Sequence, residues 1–118
     1  MIDKVTVAVY GSLMSGRHNH SMIEGGKLLG VSTLKAKMYS LGSYPAIVKG
    51  DDEHAIELYE VTDDMYLPVL SMEIGAGYTE EEQEFVVATG ETITAKIFYA
   101  GEWLESYCEK TKKVIKSY

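Results

Sequence analysis

The sequence has little cysteine and few positive charges. Its one cysteine, Cys108, excludes an intrachain disulfide, and there is no Cys/His spacing typical of a zinc site, so no metal is expected. A reducing, cytoplasmic location is the default expectation. The 11 lysines and arginines are outnumbered by 18 aspartates and glutamates, which gives a net charge of -7. Because nucleic acids and membrane surfaces attract basic faces, neither is an expected partner.

Long apolar runs are also missing. No segment has the basic start and apolar stretch of a signal peptide, or the length of a membrane span. The 118 residues, 46% of them hydrophobic, suit one core, and a single domain over residues 1–118 is predicted. Phenylalanine is scarce, with two residues against nine tyrosines, so some tyrosines are expected to line a polar pocket.

Strands are predicted where β-branched or alternating residues concentrate. The segment KVTVAVY, residues 4–10, is typical of a central strand. Further strands are predicted at 31–41, from Pro45 to Val48, at His54–Val61, at 85–88 and at 92–100. Pro45 indicates an edge strand or the start of a strand. The acidic run Thr79–Glu84 is expected to be a solvated strand edge or loop.

Two or three short helices complete the prediction. They run from Asn19 through Leu28, over Thr62–Gly75, and from Glu102 through Ile115. Pro68 is expected near the first turn of the second helix, where its missing N–H costs least. Because strands and helices do not alternate strictly, the pattern predicts an α+β fold with a mixed or partly closed sheet.

The segment YGSL, Tyr10–Leu13, is the first place that could carry chemistry. A strand here runs directly into glycine and small residues, which lets backbone N–H groups approach a carboxylate or an oxyanion. A plain turn is the alternative and the commoner outcome for so short a motif. Ser12 lacks the glycine-flanked elbow of an acyl-transfer nucleophile.

Glu73 is the second candidate. It lies among apolar residues near the end of a helix, and a carboxyl group there with a raised pKa could serve as general acid or base. A glutamate on the solvent face is the alternative. His18 and His20 are two residues apart and would point to opposite sides of a strand or helix, so joint metal binding is not expected.

Several stretches, in this order, resemble the γ-glutamylcyclotransferase-like family, which includes γ-glutamylamine cyclotransferases and AIG2-type proteins. They are VAVYGSL, GRHNHSMI, LGSYPAIV and ELYEV, followed by Glu73, Tyr78 and the GEW at 101–103. The resemblance extends from Val5 to about Trp103, and the order and spacing of the pieces are more specific than any one of them.

The resemblance implies a small barrel-like sheet and a cyclising acyl transfer. A γ-glutamyl amine or peptide would be converted to 5-oxoproline with release of the amine, with no metal or cofactor. Glu73 would be the catalytic acid/base. The small-molecule substrate would be bound by Tyr10, Gly11, Ser12, Leu13 and Tyr78, with the loop at its α-carboxylate end.

Three departures from the family pattern flank the site and bear on the substrate. Ile56-Glu57-Leu58-Tyr59 stands where small members have Gly-Glu-Val-Tyr, Val69-Leu70 where Leu-Asp is common, and Glu80 where an arginine is common. They leave a second hypothesis open, in which the same fold binds or sequesters a small metabolite without catalysis.

Overall fold

The structure, a computed structural model, describes residues 4–10, 25–42 and 45–115. Along these ranges seven strands and two helices follow one another. They are β1 (Lys4–Val9), β2 (Lys27–Ser40), β3 (Pro45–Lys49), β4 (Asp52–Thr62), α1 (Asp63–Gly75), β5 (Tyr78–Val86), β6 (Thr92–Ala100), α2 (Glu102–Thr111) and β7 (Val114–Ile115). Neither of these helices is long and apolar enough to span a membrane.

The strands form one mixed sheet in the order β3-β2-β4-β1-β6-β5, with β7 added beside β2. The pair β1–β6 is parallel and the other pairs are antiparallel. The sheet curls, so that the hydroxyl of Ser32 in β2 donates a 2.6 Å hydrogen bond to the carbonyl oxygen of Val86 in β5. This mixed α+β fold with a curled half-barrel sheet confirms the predicted fold class.

Apolar side chains fill both faces of the sheet, as the period of two along each strand requires. One cluster lies under the two helices and includes Val7, Phe98 and Val69. The other lies on the opposite face and includes Leu58 and Ile97. The acidic run 79–84 belongs to β5, where its side chains are largely exposed.

Two predicted helix ends are wrong because the residues pair with strands instead. Lys27 and Leu28 begin β2 and lie opposite Glu60 and Tyr59 of β4. Gly25 and Gly26 form a turn before β2, and the remainder of that predicted helix, residues 19–24, lies outside the described residues. The last predicted helix, from Glu102 through Ile115, is too long. Its helical part, α2, ends at Thr111, and Val114–Ile115 form β7, which pairs with β2.

The position of Pro68 also differs from the prediction. Because α1 begins at Asp63, Pro68 is its sixth residue and lies in the second turn, not near the first. Its missing N–H leaves the carbonyl of Asp64 without the usual bond from four residues on. Pro68 is exposed, so water can reach this part of the helix.

Candidate active site

The helix α1 is fixed at its start by a capping residue. The hydroxyl of Thr62 accepts a 3.4 Å hydrogen bond from the backbone N–H of Met65. Asp63 and Asp64 follow in the first turn, where negative charge is favourable because the N-terminus of a helix is partly positive. These local interactions set the helix start, and hence the register of every side chain after it.

Glu73 lies on the inner face of α1. The buried residues of this helix are Tyr66 and Val69, and Glu73 follows them by seven and four positions, which brings it to the same face. Its side chain is partly buried, so the solvent-facing alternative does not hold. Burial raises the pKa of Glu73 from 4.5 to about 7. A carboxyl group with such a pKa can take up and release a proton near neutral pH.

Tyr10 follows the last residue of β1 and lies close to Glu73. Its hydroxyl donates a hydrogen bond to the backbone carbonyl of Phe98 in β6. The pKa of Tyr10 is raised well above its usual value, first by burial and then by the negative charge that Tyr78, Glu73 and Tyr99 carry when they are ionised. Tyr10, after the end of β1, and Glu73, near the end of α1, are therefore close enough for the charge of one to affect the other, although they are far apart in sequence.

Tyr78, the first residue of β5, is buried near Tyr10. Its hydroxyl donates a 2.6 Å hydrogen bond to the carbonyl oxygen of Pro45, at the start of β3. A phenol has one proton to donate, so the Tyr78 hydroxyl can meet a further group only as an acceptor. Among the predicted binding residues, the structure thus brings Tyr10 and Tyr78 together with Glu73.

Other predicted site residues lie outside the described residues. These are Gly11, Ser12 and Leu13, and with them His18, Asn19 and His20. The prediction that this loop and Glu73 face one cavity therefore stays a prediction.

Sequence reasoning missed the pair Tyr66 and Glu80. The Tyr66 hydroxyl donates to the carboxylate of Glu80, and its ring stacks on Phe98 with centroids 6.3 Å apart. The seven-residue spacing between Tyr66 and Glu73 could have identified Tyr66 as part of the same helix face. The sequence singles out Glu80 only as a departure from the family pattern, because its contact with Tyr66 depends on how β5 pairs with β6.

A surface groove of about 640 Å³ lies between the end of α1 and the start of α2. It is lined by Ile74, Gly77, Tyr78, Thr79, Gly101, Glu102, Trp103 and Ser106. Tyr78 of the candidate site is among these residues and Glu73 is not, so the groove adjoins the candidate site. In the part of the chain that the structure describes, no three acidic, cysteine or histidine side chains are grouped to hold a metal ion.

Comparison with known proteins gives a family match over residues 7–117, to the model described as "Gamma-glutamyl cyclotransferase, AIG2-like". A curated Pyrococcus horikoshii protein named "Putative gamma-glutamylcyclotransferase PH0828" is 34% identical over 74 residues, which are 63% of this chain and 64% of that protein. A Vibrio cholerae relative with the same descriptive name is 32% identical over 71 residues, 50% of this chain and 62% of its own. Each match spans less than two thirds of the relative's length.

Solved structures share the fold. The crystal structure of the Pyrococcus horikoshii protein has a TM-score of 0.69 at 28% identity and covers 95% of this chain and 86% of its own. An AIG2-like protein from Mus musculus has a TM-score of 0.79 at 17% identity and covers 98% of this chain and 88% of its own. At the lower identity, the likeness shows the fold alone.

Proposed function

Because this chain belongs to the γ-glutamyl cyclotransferase, AIG2-like family, we propose that it cyclises a γ-glutamyl amine or peptide to 5-oxoproline. The observation that carries the proposal is the raised pKa of Glu73, about 7, on the inner face of α1 next to Tyr10. A general acid/base works best when its pKa lies near the operating pH. Glu73 is therefore our candidate for the group that moves protons in this reaction.

The substrate supplies its own nucleophile. The Glu73 carboxylate removes a proton from the α-ammonium group, and the freed amine attacks the γ-carbonyl carbon to form the ring C–N bond. The protonated Glu73 then gives its proton to the leaving nitrogen and the original C–N bond breaks. The Glu73 carboxylate takes the remaining extra proton from the ring nitrogen and passes it to the released amine, which departs as an ammonium ion. The reaction is neither a redox reaction nor a hydrolysis, and Glu73 returns to its starting state. The protein's main task is to fold the substrate so that the amine and carbonyl meet.

Backbone N–H groups would hold the negative charges of the substrate. We assign the α-carboxylate to the segment Gly11–Leu13, as the family resemblance implies. The Tyr10 hydroxyl has its proton committed to the Phe98 carbonyl, so it is available as an acceptor rather than as an oxyanion donor. Its place beside Glu73 suits contact with the α-ammonium group before deprotonation.

Incubation with a panel of γ-glutamyl amines, amino acids and peptides, followed by mass spectrometry of 5-oxoproline, tests the proposal. Glu73→Gln keeps the shape and removes the titratable group, so we expect a loss of at least ~100-fold in kcat/KM. Glu84→Gln is the matched control, because Glu84 is an exposed residue of β5, and it should retain full activity.

Two results would count against the proposed reaction. Activity that survives in folded Glu73→Gln protein would refute the role of Glu73. Tight binding of γ-glutamyl compounds with no 5-oxoproline from any of them would favour the non-catalytic binding function.

A further inference from the structure

The side of α2 that faces away from the core carries two large aromatic residues. Leu104 and Cys108 are the buried residues of this helix and hold it on the core. Four exposed residues at helical spacing form a stripe on its other side, here called the outer stripe: Trp103, Ser106, Tyr107 and Lys110. Trp103 is 64% exposed and Tyr107 is 44% exposed, so the apolar part of this stripe is open to a partner.

The outer stripe borders the groove between α1 and α2. Trp103 and Ser106 line this groove from α2, and Ile74, which is 51% exposed, lines it from α1. Exposed apolar residues that are grouped together are typical of a surface where another protein binds. The net charge of -7 does not favour an anionic membrane surface as the partner.

Trp103 is held in place before any partner binds. Its ring lies directly on the backbone of Gly77, where an added Cβ atom would be 2.7 Å from the ring. The start of the helix is tied to the same glycine, because the N–H of Gly101 donates a 2.8 Å hydrogen bond to the Gly77 carbonyl oxygen. An ordered side chain loses little rotamer entropy on binding, and tryptophan is enriched among the residues that dominate interfaces. Trp103 is therefore suited to be the central residue of an interface.

The charge pattern of α2 indicates which partner fits. Glu102 and Glu105 lie in the first turn, Lys110 lies in the last turn, and Lys112 and Lys113 follow. Among the described residues, neither Glu102 nor Lys110 belongs to an ion pair. A helix that is acidic at its start and basic at its end is complementary to a copy of itself that runs antiparallel. The antiparallel arrangement also brings the opposite ends of the two helix dipoles together.

We propose that two copies of this chain associate through the outer stripes of their α2 helices, antiparallel about a twofold axis near Ser106 and Tyr107. In this arrangement Lys110 of one copy lies against Trp103 and Glu102 of the other. Its ammonium group then meets the face of an indole ring and a carboxylate. Because the interface is symmetric, this contact is made twice. The inference concerns a surface outside the proposed reaction and does not depend on it.

Analytical ultracentrifugation of the wild type over a range of concentrations tests the association. We expect a monomer–dimer equilibrium with a Kd of about 1–100 µM, because a single pair of helices makes a small interface. Trp103 is the only tryptophan in the sequence, so its fluorescence reports on this surface alone. Its emission should shift to longer wavelength on dilution, as the dimer dissociates and water reaches the ring. A dimer formed through another surface would leave the emission unchanged.

Charge-exchange variants assign the dimer to the two α2 helices. Glu102→Lys and Lys110→Glu each bring like charges together at both symmetric contacts, so each should raise the Kd by about tenfold or more. An equal mixture of the two single variants pairs opposite charges again and should dimerise about as well as the wild type. The two changes combined in one chain should do the same. Mere damage to α2 would not be repaired by a second change in this way.

Two controls separate the specific contact from general charge effects and from unfolding. Glu91→Lys makes the same charge change as Glu102→Lys at an exposed residue just before β6, and it should leave the Kd unchanged. Salt tests the wild type without any substitution, so it remains decisive if a single variant fails to fold. Because the contacts of Lys110 lie at the edge of the interface, about 1 M sodium chloride should weaken the dimer several-fold.

Several results would overturn the inference. They are a wild type that stays monomeric up to about 1 mM, ten times the weakest Kd expected, and a dimer that neither salt nor Glu102→Lys weakens. A mixture of the two folded single variants that remains monomeric would show that the charges do not pair between copies. A monomer whose Trp103 emission changes only with a copurified small molecule would assign the groove to a ligand instead of a second copy.

Discussion

The hydroxyl of Tyr78 bonds to the carbonyl oxygen of Pro45, at 2.6 Å and out of contact with water. The bond joins the start of β5 to the start of β3, two strands at opposite ends of the sheet order. Tyr78 also lies near enough to Tyr10 to contribute to the raised pKa of the Tyr10 hydroxyl. One buried side chain therefore links the closure of the sheet to the candidate site.

Tyr78→Phe should destabilise the protein by about 1–3 kcal/mol, because it leaves the buried carbonyl of Pro45 without this donor. Urea unfolding measures the change. Tyr107→Phe is the control, since the Tyr107 side chain is 44% exposed, and it should change stability by no more than about 0.5 kcal/mol. Equal effects of the two variants would show that the bond to Pro45 contributes nothing.

The raised pKa of Glu73 predicts how stability depends on pH. Between 4.5, its ordinary pKa, and about 7, the folded protein keeps a proton that the unfolded chain releases. The stability associated with protonated Glu73 is therefore complete below pH 4.5 and is lost as pH rises to about 7, by at most about 3 kcal/mol.

Urea unfolding at about pH 5 and about pH 8 tests this linkage. Glu73→Gln should lose less stability than the wild type over this interval, and Glu84→Gln should follow the wild type. Parallel profiles for the wild type and Glu73→Gln would mean that Glu73 has an ordinary pKa.

His54 is a buried residue of β4 whose Nε2 atom lacks a hydrogen-bond partner among the described residues. An apolar side chain of similar size avoids the cost of burying that atom, so His54→Leu should raise the free energy of unfolding by about 1 kcal/mol. His54→Ala should instead destabilise the protein, since it leaves a cavity. Marked destabilisation by leucine would show that the imidazole has a polar partner after all.

Gly77 combines a positive φ of 100° with close contact to an aromatic ring. A Cβ atom there would lie 2.7 Å from the ring of Trp103. Gly77→Ala should therefore cost about 1–3 kcal/mol. Gly75→Ala is the matched control, because a Cβ at this helical position meets nothing within 4 Å, and it should be neutral or slightly stabilising. Thermal unfolding of both variants tests this prediction, and equal midpoint temperatures would contradict the expected clash.

The strands and the helix that carries Glu73 were predictable because their signals are local. The strand 92–100 and the helix Thr62–Gly75 show their periodicity within a single window, and the observed elements follow it. The inward position of Glu73 is also implicit in that helix, since it shares a face with Tyr66 and Val69. The sequence does not say whether other side chains fill the space beside that face of the helix.

Glu80 and β7 were not predictable because their places depend on partners far along the chain. Glu80 follows Tyr78 on a largely exposed strand and looks like a solvated charge until β6 sets it opposite Phe98. Val114 and Ile115 fit a continued helix as well as a strand, and pairing with Met38 and Tyr39 decides between them. Long-range pairing of this kind overrides local propensity.

The central position of β1 has a consequence for how the chain folds. Val7 pairs with Tyr59 on one side and with Lys96 on the other, so the earliest described strand is enclosed by segments made much later. Such distant pairings raise the contact order, and we expect refolding on a timescale of about milliseconds to seconds. During synthesis β1 cannot pair with β6 until β6 has left the ribosome. Until then the apolar side chains of β1 are exposed, so this segment can aggregate or bind chaperones.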